Sequence, residues 1–121
     1  MPGDYSLYLK DMLDSARFIE AQSRNVIAQS LAKDEVLLRA LLHALIVIGE
    51  AANHIPPDIQ ERAPAIPWAD IVGIRNIIVH GYFAINMPIV WDVIHREIPA
   101  MRRHLEALLR DLDQGAAPPA S

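Results

Sequence analysis

The sequence predicts an all-α fold, an up-and-down bundle of four main helices and one short one. Three observations carry this. Apolar residues recur at steps of three and four along most of the chain, the interval of one helical face. No segment alternates apolar and polar residues as a half-buried strand would. The prolines gather mainly between the periodic stretches, where they end helices rather than interrupt them. With 121 residues the chain is read as one domain over residues 1–114, and the tail 115–121, rich in small residues and proline, is expected to fray.

The first helix is expected to start at Asp4, a suitable N-cap. From there Leu9, Met12, Leu13, Ala16, Ile19, Val26, Ile27 and Leu31 trace an apolar face, with Arg17, Glu20 and Arg24 on the wetter side. A second helix begins near Asp34 and runs through "EVLLRALLHALIVIGEAANHI". It is apolar on nearly every side between Val36 and Ile48, which places it at the centre of the bundle or against a partner subunit. Pro56, Pro57, Pro64 and Pro67 then punctuate a connector, with one short helical turn at "PDIQERA" because proline suits first turns. A third main helix spans Trp68 to His80, and Gly81 stands where a C-terminal glycine cap would. Asn86 can cap the last helix, with Pro88 in its first turn and apolar positions from Ile89 to Leu112. Pro99 lies inside it and should kink or split it near His95, whose carbonyl loses its donor.

Composition removes several function classes. There is no cysteine, hence no disulfide and no thiolate metal site, which fits a reducing compartment. The longest uninterrupted apolar run, Ala44 to Gly49, is far short of the roughly 20 residues that span a bilayer. "MPGDYS" has no basic stretch leading into an apolar one, so no signal peptide is expected and the protein reads as cytoplasmic. A net charge of −4 argues against broad electrostatic capture of nucleic acid. A nucleic-acid role must rest on a local site or an oligomer.

The stretch that carries chemistry is "RNIIVHGY", Arg75 to Tyr82. On a helical wheel with Arg75 at zero, Ile77, Ile74, Ile78 and Ile71 fall at about 200°, 260°, 300° and 320°. Arg75, Asn76 and His80 fall at about 0°, 100° and 140°, on the opposite arc. Arg75 and His80 lie about 7.5 Å apart along the axis, a gap the arginine side chain can cover. The three tips can converge on one anion, or copies from two subunits can meet. Histidine is suited to proton transfer near neutral pH, and an arginine fork matches a phosphate. Together with the Asn76 amide they suit cleavage of a phosphodiester by an adjacent ribose 2′-hydroxyl, without a metal or other cofactor. That chemistry selects RNA, because DNA lacks the nucleophile. The bland alternative is a histidine stabilising a helix C-terminus beside a solvated arginine.

The stretch resembles the R-x4-H-x-Y motif of the HEPN superfamily. "ALIVIGEAANHIP", "IPWADIVGIRNIIVHGYFAIN" and "VWDVIHREIPAM" are similar to its HepT branch, from roughly Leu37 to Leu112. The resemblance implies a helical homodimer with both motif copies in a shared cleft. It implies a toxin ribonuclease of a toxin–antitoxin pair, with Arg75 and His80 catalytic and Asn76 supporting them. It further implies a minimal nucleotidyltransferase as antitoxin partner, open to further assembly with the toxin. That partner would add AMP to Tyr82, setting negative charge and bulk beside the arginine that receives RNA phosphate.

Other residues were weighed against plainer roles. Glu50 follows the most apolar segment, where a lone carboxylate is costly, and could pair with Arg75 and orient it. His43 and His54 lack a metal-site pattern, and His43 reads as a core histidine. Arg96, Arg102 and Arg103 form the richest basic surface, fit to guide RNA or meet an acidic antitoxin, although a solvated face explains them too. Trp68 and Trp91 are assigned to packing. No Gly-rich phosphate loop, serine nucleophile motif or paired carboxylates with a clear acid and base assignment occur. Two functions therefore stand: a metal-independent endoribonuclease, and a noncatalytic helical subunit that binds a nucleotidyltransferase. A plain dimeric scaffold would explain the apolar second helix but not the polar arc.

Overall fold

Leu9, Met12, Ala16 and Ile19, at steps of three and four, are all fully buried. That stripe seats helix α1 (Gly3–Ser23) across helix α3 (Glu35–Ala52). The computed structural model describes residues 3–81 and 86–115, and every regular element among them is helical. The others are α2 (Ala28–Lys33), α4 (Pro57–Gln60), α5 (Trp68–His80), α6 (Met87–Asp92), a π-helical turn (Val93–Glu97) and α7 (Ile98–Gly115). The fold is all-α.

The central place expected for the second long helix is what α3 occupies. Asp34 caps it by accepting the Leu37 N–H at 3.0 Å. Leu41, Leu42, Ala44, Leu45, Ile48, Ala51 and Ala52 are buried because α3 is covered by α1 on one side and α5 on another. Each fully buried leucine or isoleucine contributes roughly 1.5–3 kcal/mol, so this helix holds much of the core. Helix α7 closes the bundle on α1 through Met101, Leu105 and Leu108. In the connector, Ile59 of α4 is buried, and the Trp68 indole N–H donates to the Ala63 carbonyl at 3.2 Å.

Two boundaries differ from expectation. The first helix does not run on to Leu31; it ends at Ser23, and α2 follows a turn. The apolar rhythm stays in phase across the break, so periodicity alone does not see it. The buried Ser23 hydroxyl donates to the Ile19 carbonyl at 2.7 Å, and the Val26 N–H turns back to Ser23 at 3.1 Å. Serine and asparagine compete for backbone hydrogen bonds in this way, and the break still delivers Leu31 fully buried into the core. The helix also starts at Gly3, one residue ahead of Asp4.

At the other end Pro99 has the expected effect, by a specific route. The chain widens into the π-helical turn, and the Ile98 N–H reaches Val93, five residues back. One extra residue is absorbed where Pro99 offers no donor. The His95 ring Nδ1 lies 3.1 Å from the Trp91 carbonyl. A carbonyl only accepts, so that bond places the proton on Nδ1.

Arg102 donates to Glu20 at 2.6 Å and to Glu106 at 3.0 Å, and Arg17 donates to Glu106 at 2.9 Å. This four-residue network clamps α7 to α1. The hydrogen bond from Arg17, helped by Arg102 against partial desolvation, holds the Glu106 carboxyl below its ordinary value. A folded-state value below the unfolded one gives stability that is complete above pH 4.5 and is lost as pH falls through the folded value. Glu106→Gln is expected to melt below wild type at neutral pH and to converge with it as the pH falls through the folded-state value, in paired thermal melts.

Candidate active site

The site begins with a missing side chain. A Cβ added at Gly49 would overlap the Arg75 Cβ, and would lie 3.0 Å from the Arg75 Cγ and 3.1 Å from the Ile71 carbonyl oxygen. Glycine here lets α5 lay the Arg75 stem directly on the α3 backbone. Glu50, the next residue of α3, then meets the guanidinium: its Oε1 forms an ion pair with Nε. That Nε is enclosed and has no aligned hydrogen-bond acceptor, so charge rather than a directed hydrogen bond holds the contact. With side-chain exposures of 29% for Arg75 and 47% for Glu50, such a pair adds no more than about 1 kcal/mol. Its contribution is direction.

Arg75 Nη1 also donates to the Asn76 Oδ1 at 2.9 Å. Both groups of the guanidinium are donors, so the Asn76 carbonyl must face it and its NH2 points away. Of five guanidinium N–H bonds, the Nε–H is enclosed beside Glu50 and one Nη1–H is held by Asn76; among the described residues the other three have no partner. Gly49, Glu50, Asn53, Val72, Arg75 and Asn76 line a polar depression of about 190 Å³ at this point.

His80 is the last residue of α5 and is exposed. Among the described residues no hydrogen bond joins it to Arg75 or Asn76. Gly81 follows at the C-cap with φ −120°, not in the left-handed region, and its N–H bonds the Ile77 carbonyl at 2.6 Å. A Cβ there would stand 2.9 Å from that oxygen, so close approach, not backbone handedness, favours glycine. Tyr82 lies outside the described residues.

The helical wheel needs correction. Arg75 is not opposite the apolar face of α5; its stem packs against α3 between buried Ile71 and Ile78. Ile77, expected in the core, is 63% exposed. Only Asn76 and His80 occupy the wet arc. His43 is also not a core histidine: it is exposed on α3. His54 stacks on Tyr8, with ring centroids 4.5 Å apart. Of the basic trio, Arg102 is drawn into the network with Glu20 and Glu106 and is not a free surface contact. Arg96 is exposed and pairs with Asp92 at 3.2 Å, and Arg103 is exposed. Trp68 is buried, and Trp91 packs partly into the core and against the His95 ring at 3.8 Å. Sequence reasoning missed the role of Gly49, whose signal was a glycine inside an otherwise apolar helix.

The HepT-like family, described as ribonuclease HepT-like, matches residues 12–108 of the chain. A protein named "Putative RNase" from Caldanaerobacter subterraneus subsp. tengcongensis is 32% identical over 103 residues, covering 85% of this chain and 92% of its own. Another of that name, from Methanocaldococcus jannaschii, is 30% identical, covering 85% and 94%. "Probable ribonuclease HepT" of Thermococcus cleftensis is 30% identical over 101 residues, covering 84% and 92%. No solved structure matches the chain.

Two glycine substitutions separate close approach from helix propensity. Gly49→Ala forces α5 away from α3 and is expected to destabilise by about 1–3 kcal/mol despite the better helix former. At Gly73, in the same helix as Arg75, an added Cβ meets nothing within 4 Å. Gly73→Ala is expected to stabilise by up to about 1 kcal/mol. Urea denaturation of the two variants reads both signs.

Proposed function

The chain belongs to the HepT-like ribonuclease family, and from that premise we propose that it is the endoribonuclease toxin of a toxin–antitoxin pair. The observation that supports the reading is the ion-paired Arg75, aimed by Glu50 and Asn76 into a polar depression, on the helix that ends at His80. Arg75 receives the scissile phosphate and offsets charge as it grows on the non-bridging oxygens. His80 moves the proton. The ribose 2′-oxygen forms a bond to phosphorus, the bond to the 5′-oxygen breaks, and the proton lost by one oxygen is supplied to the other. The products are a 2′,3′-cyclic phosphate and a 5′-hydroxyl. No metal is required. One chain offers one such histidine, so a homodimer that brings two motifs to one cleft supplies both an acid and a base.

In this reading the protein works in the cytoplasm, residues 1–114 form the functional domain, and Tyr82 is the control point. A minimal nucleotidyltransferase transfers AMP from ATP: the Tyr82 oxygen loses its proton and bonds to the α-phosphorus as pyrophosphate leaves, and the new anion competes with the RNA phosphate for Arg75. No helix of the described residues is long and apolar enough to cross a membrane. The alternative, a noncatalytic subunit that binds the nucleotidyltransferase, keeps Arg75 and His80 as ligand contacts only.

One comparison decides. Unmodified wild-type protein is expected to cleave RNA in the presence of EDTA, with His80→Ala slower by about 10²–10⁴-fold at unchanged melting temperature. Equal traces from both proteins would leave only the binding role. On coexpression with a minimal nucleotidyltransferase, intact mass is expected to rise by whole AMP units in wild type and not in Tyr82→Phe.

A further inference from the structure

Between Leu37 and Ala52, α3 carries only three polar side chains: Arg39, His43 and Glu50. With Ile46 and Asn53 they follow steps of four, three, four and three, which is one stripe along a helix. All five are exposed or half-buried, whereas the rest of the helix from Leu41 to Ala52 is mostly buried. The stripe runs beside α5. Arg39, Leu42, His43 and Ile46 share a depression of about 390 Å³ with Ile78 and Val79. Glu50 and Asn53 share the next one with Val72, Arg75 and Asn76. Moving back along α3 thus moves forward along α5, so the helices are antiparallel and the two depressions are successive stretches of one groove. The Arg39 and His43 stretch lies at the His80 end of α5.

The geometry points to a second RNA phosphate contact formed by Arg39 and His43, one step along the groove from Arg75. The inference rests on the ribonuclease reading and extends it. His43 stands about 10.5 Å along α3 from Glu50, and Arg39 about 6 Å beyond it. That span suits about two nucleotides of an extended strand. Arg39 is already directed along the helix surface by Glu35 at 2.6 Å, with side-chain exposures of 66% and 73%. So exposed a pair loses little when a phosphate replaces the carboxylate. His43 offers a ring N–H donor in either protonation state. Ile46 and Val79 give the groove an apolar wall for sugar and base. In a chain of net charge −4, the Arg39 cation and the His43 N–H donor beside the catalytic arginine supply the local attraction that the whole surface does not.

The test uses the full-length His80→Ala chain, which binds without cutting, and a fluorescein-labelled single-stranded RNA. Adding Arg39→Gln and His43→Gln is expected to weaken binding about tenfold or more. It should also reduce the slope of log affinity against log salt by about 0.7 per lost phosphate contact. In the catalytic background the same pair should raise KM more than it lowers kcat. Unchanged affinity and slope, beside intact cleavage by wild type, would overturn the second contact alone. So would a change of sedimentation mass in the double variant, because the groove would then be a contact between copies. If the His80→Ala chain binds no RNA and wild type cuts none, the ribonuclease reading fails and this contact falls with it.

Discussion

The crossing of α3 and α5 at Gly49 is the constraint on which the rest of the site depends. A helix backbone can carry a charged stem against it only where the neighbour lacks a side chain, and Gly49 supplies that gap directly opposite Arg75. Three consequences follow from one contact. Arg75 is half-buried, Glu50 falls beside its Nε, and among the described residues the guanidinium N–H bonds beyond those at Glu50 and Asn76 have no partner. The ion pair itself is too exposed to matter much for stability. What fixes the arginine is the packing beneath it, and what aims it is the carboxylate beside it.

The outer bundle serves that crossing. Helix α1 covers the opposite side of α3, and α7 is clamped to α1 by Arg17, Glu20, Arg102 and Glu106. The π-helical turn before Pro99 absorbs the missing donor while the last helical stretch continues to Gly115. Helix α3 sets its few polar residues along the α5 groove, with Leu42 and Ile46 beside them, and most of its apolar residues in the core.

Much of this was legible in the sequence. Proline spacing, the Asp34 and Asn86 caps and the apolar rhythm give α3, α5 and the final helical stretch within three residues at each end, because those signals are local. The break after Ser23 was not legible, since the apolar rhythm continues in phase on both sides and the deciding bond is a serine hydroxyl to its own helix. The placement of Arg75 was misread for a related reason. A wheel compares residues within one helix, whereas the burial of Arg75 and the exposure of Ile77 are set by Gly49 on another. The Glu50 contact was inferable because an isolated carboxylate beside an apolar segment needs a partner. His43 was misassigned because its neighbours in sequence are apolar while its neighbours in space include Arg39 and open groove.

The central claim is that Arg75 and His80 direct an RNA 2′-hydroxyl at the adjacent phosphate. It is tested most directly with an RNA whose cut site has been mapped, remade with a single 2′-deoxynucleotide on the 5′ side of that bond. The all-ribose strand is expected to yield a 2′,3′-cyclic phosphate by mass spectrometry, and the substituted strand to survive at that position. Equal cutting of both strands there would contradict it.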